Sequence, residues 1–213
     1  MKKTEMPGKD PMPLGVVILA AGASRRMGRP KLLLPWQETT VIGHILHQWR
    51  EIGASQIVIV HRPNDGDLFS EMDRLNFSAQ NRIENSQPDR GMFSSILCAA
   101  RWSGWNGEVS SWAIVLGDQP HLRRETLKGL VDFHFRHVDL VCQPFYGDHE
   151  RHPVILPRHV FEKLKISDAE TLKDFLKLIS SATVKYPMDD IGLALDMDTP
   201  EDYKRLQHLK SAR

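Results

Sequence analysis

Hydrophobic residues fall along this chain in short β-branched runs that alternate with stretches of helical spacing. GVVILA at 15–20, QIVIV at 56–60 and SWAIVLGD at 111–118 are continuous apolar runs, the mark of strands buried on both faces of a sheet. From Thr39 to Ile52, Val41, Ile42, Ile45, Leu46 and Trp49 recur at helical spacing, and Gly53 supplies a left-handed cap. Similar patterns predict helices over 65–75, 92–102, about 125–134, about 157–164 and 169–179, with strands at 81–84, 138–143, TVKY and LALD. PVIL at 153–156 opens on Pro and suits a sheet edge or a small accessory sheet. A last helix opens on Thr199 as N-cap and Pro200 at the first helical position. Strands and helices in alternation imply an α/β fold with a mostly parallel central sheet covered on both faces.

Composition narrows this picture without redirecting it. The 213 residues suit one domain, and 41% hydrophobic with 26% charged residues is a globular balance. Residues 1–13, MKKTEMPGKDPMP, hold three Pro and one Gly with no hydrophobic period, so they read as a flexible tail before a single domain over 14–213. No signal-peptide centre or membrane-length apolar run is visible, so a cytoplasmic protein is expected. Lys and Arg number 28 against 27 Asp and Glu, which leaves no broad electrostatic footprint for nucleic acid or an anionic membrane. Any basic feature must therefore be local. Cys98 and Cys142 lie in apolar stretches and read as two buried thiols in a reducing compartment.

The local basic feature is LAAGASRRMGRPK at 19–31, directly after the first strand. Gly22 and Gly28 let backbone N–H groups turn toward an anion while Arg25, Arg26 and Lys31 neutralise it, so a polyphosphate is the natural guest. The spacing is neither a Walker A loop nor G-x-G-x-x-G. A triphosphate calls for Mg²⁺, commonly held by one or two carboxylates. Asp118 closes the strand SWAIVLGD, and Asp196 and Asp198 stand in LDMDTPED at 195–202. Taken singly, Asp118 also suits a turn before Pro120, and Asp198 an acid flanking a helix start. DRGMFSSILCAA at 89–100 opens a helix whose free N–H groups can meet a nucleotide; a simple Ser-capped helix is the rival reading. The H-x-x-H pair His149 and His152 lacks the third ligand of a zinc site.

L-x-A-G-x-S-x-R-M-G-x-P-K resembles the signature loop of the nucleotidyltransferases related to the molybdenum cofactor guanylyl- and cytidylyltransferases. The resemblance implies a Rossmann-like, GT-A type three-layer sandwich and a Mg²⁺-dependent nucleotidyl transfer to a phosphorylated acceptor. It implies phosphate-binding roles for Arg26 and Lys31, which with Asp118 form the catalytic set, and nucleotide contacts at Leu19, Ala20, Ala21, Gly22 and Ser24. Gly91, Ser94, Ser95 and Gln119 would meet the rest of the nucleotide, and Asp118 and Asp198 would chelate the Mg²⁺, with Asp196 orienting. The D-x-D form, the A-A-G loop and G-D-Q-P are most similar to the cytidylyl branch, which implies CTP as donor and molybdenum-bound molybdopterin as acceptor, with a molybdenum hydroxylase receiving the product. GDHERHPVIL resembles the strand G-x-x-G-H-P-V that lines the acceptor pocket, placing His152 and Arg151 there, although Arg151 stands where the family has Gly. Transfer to a sugar phosphate or another phosphorylated metabolite, and a non-catalytic cofactor carrier, are the alternative functions.

Overall fold

A computed structural model describes residues 12–179 and 182–211. The strands are β1 Met12–Leu19, β2 Pro35–Trp36, β3 Thr39–Thr40, β4 Ala54–His61, β5 Arg82–Glu84, β6 Ser111–Leu116, β7 Val141–Tyr146, β8 His149–Glu150, β9 Val154–Pro157 and β10 Thr183–Pro187. The helices are α1 Val41–Ile52, α2 Gly66–Arg74, α3 Met92–Arg101, α4 Arg124–Phe135, α5 Arg158–Leu164, α6 Leu172–Leu178 and α7 Pro200–Ser211. The main sheet runs β10-β7-β9-β6-β1-β4-β5, with β8 paired to the end of β7. β1 is parallel to both β4 and β6, β4 to β5, and β10 to β7, while β9 runs antiparallel to both of its neighbours.

The uninterrupted apolar runs have the expected cause, because each strand buries alternate residues in different cores. Val16, Ile18, Ile57, Ile59, Ala113 and Val115 face a core completed by α1, α2, α4 and α7. Val17, Val58, Val60, Trp112 and Ile114 face a second core closed by α3, α5 and α6, where the Trp112 and Phe161 rings stack 4.2 Å apart. Helices therefore cover both faces of the sheet, and this is a three-layer α/β sandwich of the Rossmann-like GT-A type.

Several sequence expectations are corrected. PVIL forms neither an edge nor an accessory sheet: β9 lies inside the main sheet between β6 and β7, and all four of its residues are buried. Pro153 precedes the paired residues, so its missing N–H costs the ladder nothing. LALD is not a strand; Ile191–Ala194 make a 3₁₀ turn because the Asp190 carboxylate accepts the Gly192 N–H at 3.0 Å and curls the chain. Of the expected tail, residues 1–11 lie outside the described residues, and residues 12 and 13 already belong to β1, with the Pro13 carbonyl accepting the Ser110 N–H at 2.9 Å. Cys142 is fully buried, with its thiol pushed up to about 12, whereas Cys98 is only half-buried.

Candidate active site

β1 and β6 are neighbours, yet the chain leaves β1 for β4 on one side and returns to β6 on the other. Strand order reverses there, so a crevice opens beyond the carboxyl ends of this pair. The basic loop rises from β1, and Asp118 follows β6 by two residues. Gly117 permits the close approach: its N–H donates to the Leu19 carbonyl at 3.1 Å, and a Cβ would stand 2.7 Å from that oxygen. Within the loop, Ser24 takes a left-handed conformation (φ 50°), and its hydroxyl oxygen accepts the Lys31 N–H at 3.2 Å. Met27 is buried beneath the loop, and Gly28 (φ 70°) ends the 3₁₀ turn Arg25–Met27. These contacts fix the root of Lys31 while leaving Gly22 open to solvent.

The Lys31 ammonium binds Asp118 Oδ2 and lies 3.5 Å from Asp198 Oδ1, and Arg26 holds Asp198 Oδ2 at 2.7 Å. Lys31 is largely buried, with 14% of its side chain exposed, whereas Arg26 is 72% exposed and meets Asp198 from the solvent side. Asp198 reaches the cluster from the segment between the 3₁₀ turn and α7. Met197 beside it is buried, and Thr199 and Asp202 cap α7 reciprocally, with Thr199 Oγ1 accepting the Asp202 N–H at 3.2 Å and Asp202 Oδ2 accepting the Thr199 N–H at 3.0 Å. Two carboxylates distant in sequence thus point at one cation. That donor set fits a hard divalent ion sharing its shell with phosphate oxygens and water. Among the described residues, no three His, Cys, Asp or Glu side chains converge on a metal position, and His149 and His152 belong to no such group.

The cleft beside this cluster has a volume of about 360 Å³. Leu19, Ala20, Ala21, Gly22 and Lys31 line one side, and Gly91, Met92 and Ser95 at the start of α3 line the other, with Asp118 at the end of β6. Asn85 organises the α3 side. It is buried, and its amide donates to Ser94 Oγ at 2.8 Å and Ser95 Oγ at 2.9 Å while its Oδ1 accepts the Gln87 N–H at 2.9 Å. α3 has no side-chain N-cap; Gly91 (φ 88°) stands at its start.

A second cavity, of about 650 Å³, adjoins the cleft at Met92, which lines both. His152 and Arg151 line it together with residues of β10 and α6. His152 donates from Nδ1 to the Ile114 carbonyl at 3.3 Å, and burial holds its imidazole below the usual value. It is therefore neutral near pH 7.

Residues 16–184 match the MobA-like NTP transferase domain. The chain belongs to the MobA-like NTP transferase family. A probable molybdenum cofactor guanylyltransferase of Bacillus mycoides (strain KBAB4) is 26% identical over 90% of this chain and 94% of its own length. The bifunctional protein GlmU of Clavibacter sepedonicus is 32% identical over 57% of the chain, which spans about a quarter of that larger protein (24%). Rv0371c from Mycobacterium tuberculosis H37Rv superposes with a TM-score of 0.70 at 28% identity, covering 92% of this chain and 97% of its own. This MobA-like chain is a nucleotidyltransferase related to molybdenum cofactor guanylyltransferases.

In this MobA-like transferase, the expected residues fall into three places. Leu19, Ala20, Ala21, Gly22, Lys31, Gly91, Ser95 and Asp118 share the cleft, while Arg26 and Asp198 complete the ion cluster at its edge. Ser24, Ser94 and Gln119 do not line the cleft. Ser24 clasps the loop, Ser94 donates to the Gly91 carbonyl at 2.7 Å, and Gln119 is buried. Asp196 is exposed and takes no part in the cluster. Phe93 turns into the core near Phe175, with ring centroids 6.5 Å apart, rather than toward the cleft. Asn85 escaped sequence reasoning, because a buried amide after a three-residue strand carries no local signature; the only hint is that it opens the polar turn NSQPD.

Proposed function

We propose that this protein transfers CMP from CTP to the phosphate of molybdenum-bound molybdopterin, releasing pyrophosphate. The observation that carries the reading is the meeting of Lys31, Asp118, Asp198 and Arg26 at the mouth of a glycine-lined cleft. The triphosphate lies along the 20–31 loop, where Lys31 and Arg26 neutralise its charge as it shifts toward the leaving pyrophosphate. An acceptor phosphate oxygen bonds to the α-phosphorus as the bond from that phosphorus to the bridging oxygen breaks. The second pKa of a phosphate monoester is about 6, so the nucleophile is already largely a dianion at neutral pH and needs no general base. Catalysis then rests on positioning and charge neutralisation. Asp118 and Asp198 are the residues that would hold Mg²⁺, which when bound supplies further neutralisation of phosphate oxygens. His152 and Arg151 border the acceptor's cavity.

The donor is read as CTP from the A-A-G, G-D-Q-P and D-x-D segments. A GTP donor is the second reading, favoured by the relatives named as guanylyltransferases. Pyrophosphate release with each of the four NTPs, in the presence of Mg²⁺ and molybdenum cofactor, separates the two. Release with CTP is expected, and release with GTP alone reverses the donor. Release that requires a sugar phosphate replaces the acceptor, and none with any donor favours a carrier. Retention of all four cluster residues supports turnover over mere carriage, since a carrier needs no ion cluster at a triphosphate loop.

A further inference from the structure

The cavity beyond Met92 is a trough with an uneven charge. Its floor comes from the sheet: Thr183 and Lys185 pair in register with Val141 and Gln143, and Val141 belongs to the core under α3, α5 and α6, so all four face that side. Lys173 and Lys177 on α6 form one wall, and the β8 segment with Arg151 forms the other. Four cations line the trough against a single acid, Glu150. Lys185 is paired with Glu150 at 2.9 Å and Lys177 with Asp174 at 3.0 Å. Neither Arg151 nor Lys173 has an ion-pair partner within 4.0 Å among the described residues. Arg151 Nε and Thr183 Oγ1 are moreover buried without a hydrogen-bond partner. Buried donors are seldom left unpaired, and an unpaired guanidinium N–H is among the most costly of them.

We propose that this trough binds an anionic group on the non-reacting part of the acceptor, with Arg151 as the specificity-determining residue and Lys173 and Thr183 beside it. The inference rests on the reading of the cleft as a nucleotidyl-transfer site. The reacting phosphate must reach the α-phosphorus over the 20–31 loop, and Arg151 lines only the trough, so the anion it meets is a second one. Met92 lines both cavities, which lets one molecule span them. A guanidinium presents a planar fork that matches a carboxylate or a phosphate.

The test uses the full chain loaded with a non-hydrolysable NTP analogue and two probes on one scaffold, benzyl phosphate and para-carboxybenzyl phosphate. By calorimetry the wild type is expected to bind the carboxylated ester about tenfold tighter, the scale of one charge-assisted hydrogen bond. Arg151→Gly should erase that preference while leaving benzyl phosphate and the NTP analogue bound as before. Arg151→Lys should restore part of it, and Lys173→Gln, on the opposite wall, should reduce it. Equal affinity of the wild type for the two esters, including none for either, overturns the proposal. So does a parallel loss of both in Arg151→Gly. Failure of the transferase reading appears separately, as no binding of the NTP analogue or no pyrophosphate release from any donor.

Discussion

At the scale of single residues, the cluster sets two cations against two carboxylates, with Lys31 between Asp118 and Asp198 and Arg26 on Asp198 alone. In the proposed reading Asp118 and Asp198 would hold a divalent ion, and Lys31, bound to Asp118 and 3.5 Å from Asp198 Oδ1, would compete with it for the same carboxylates. Lys31→Met should lower nucleotidyl transfer by about 10²- to 10³-fold, the usual scale for losing a group that stabilises developing charge. The same variant, free of nucleotide, should bind Mn²⁺ more tightly than the wild type in a calorimetric titration, because the cation bound to Asp118 is gone and only Arg26 still pairs with Asp198. Unchanged or weaker Mn²⁺ binding would show that Lys31 does not hold the metal's place. Asp118→Asn should abolish Mn²⁺ binding along with transfer while the far-UV circular dichroism stays native. Lys31, Asp118 and Asp198 were legible through the resemblance of the loop, G-D-Q-P and D-x-D segments, since taken singly Asp118 also suits a turn and Asp198 a helix start; the structure brings the three side chains into one ion cluster. Asn85 was not legible, since its worth lies in bonds to Ser94 and Ser95 that exist only once α3 docks beside β5.

At the scale of elements, periodicity reported burial faithfully but not neighbours. β1, β4 and β6 were readable because each buries both faces and so carries no polar alternation. β9 was equally apolar, yet the Pro153 before it suggested an edge or a small accessory sheet, and nothing in four residues could say that it would slot antiparallel between β6 and β7. The 191–194 turn was hidden for a similar reason, as its conformation is imposed from outside. Asp190, 1% exposed, accepts the Thr126 hydroxyl at 2.6 Å and meets Arg123 at 3.2 Å, while Gly192 offers its carbonyl to His121 Nε2 at 3.0 Å. Burial alone would raise the Asp190 pKa, but the bonds from Thr126, Gly192 and Arg123 outweigh it and hold the carboxyl below its usual value. This anchor precedes the segment that delivers Asp198. Asp190→Ala should therefore cost about 2–4 kcal/mol in urea unfolding and raise the KM for NTP more than it lowers kcat. A variant as stable as the wild type would leave the turn's position unexplained by Asp190.

At the scale of the whole molecule, several polar groups are enclosed by the two cores and the layers over them, and this ties stability to pH. His134 on α4 is fully buried, with Nε2 2.7 Å from the Ser111 hydroxyl of β6, and desolvation drops its pKa to about 4. Burial also lowers His121 and His152, though each offers a ring nitrogen to a backbone carbonyl. In each case the unfolded chain takes up a proton that the folded one refuses. Their contribution is fully present above the ordinary histidine value of about 6.5 and is lost as pH falls from there toward 4. For His134 alone, the shift corresponds to as much as about 3 kcal/mol at the acid end. The depressed carboxyls of Asp190, Asp202 and Glu71 act in a lower window, since unfolded acids protonate only near pH 4. Between pH 6.5 and about 4.5, the slope of unfolding free energy against pH thus reports the histidines. Urea titrations at a series of pH values should show stability falling steadily through that interval. His134→Gln, which keeps a group at the Nε2 position able to pair with Ser111 but cannot titrate there, should flatten the slope. A wild type equally stable at pH 7 and pH 5 would mean that these rings are already charged or solvated in the folded chain.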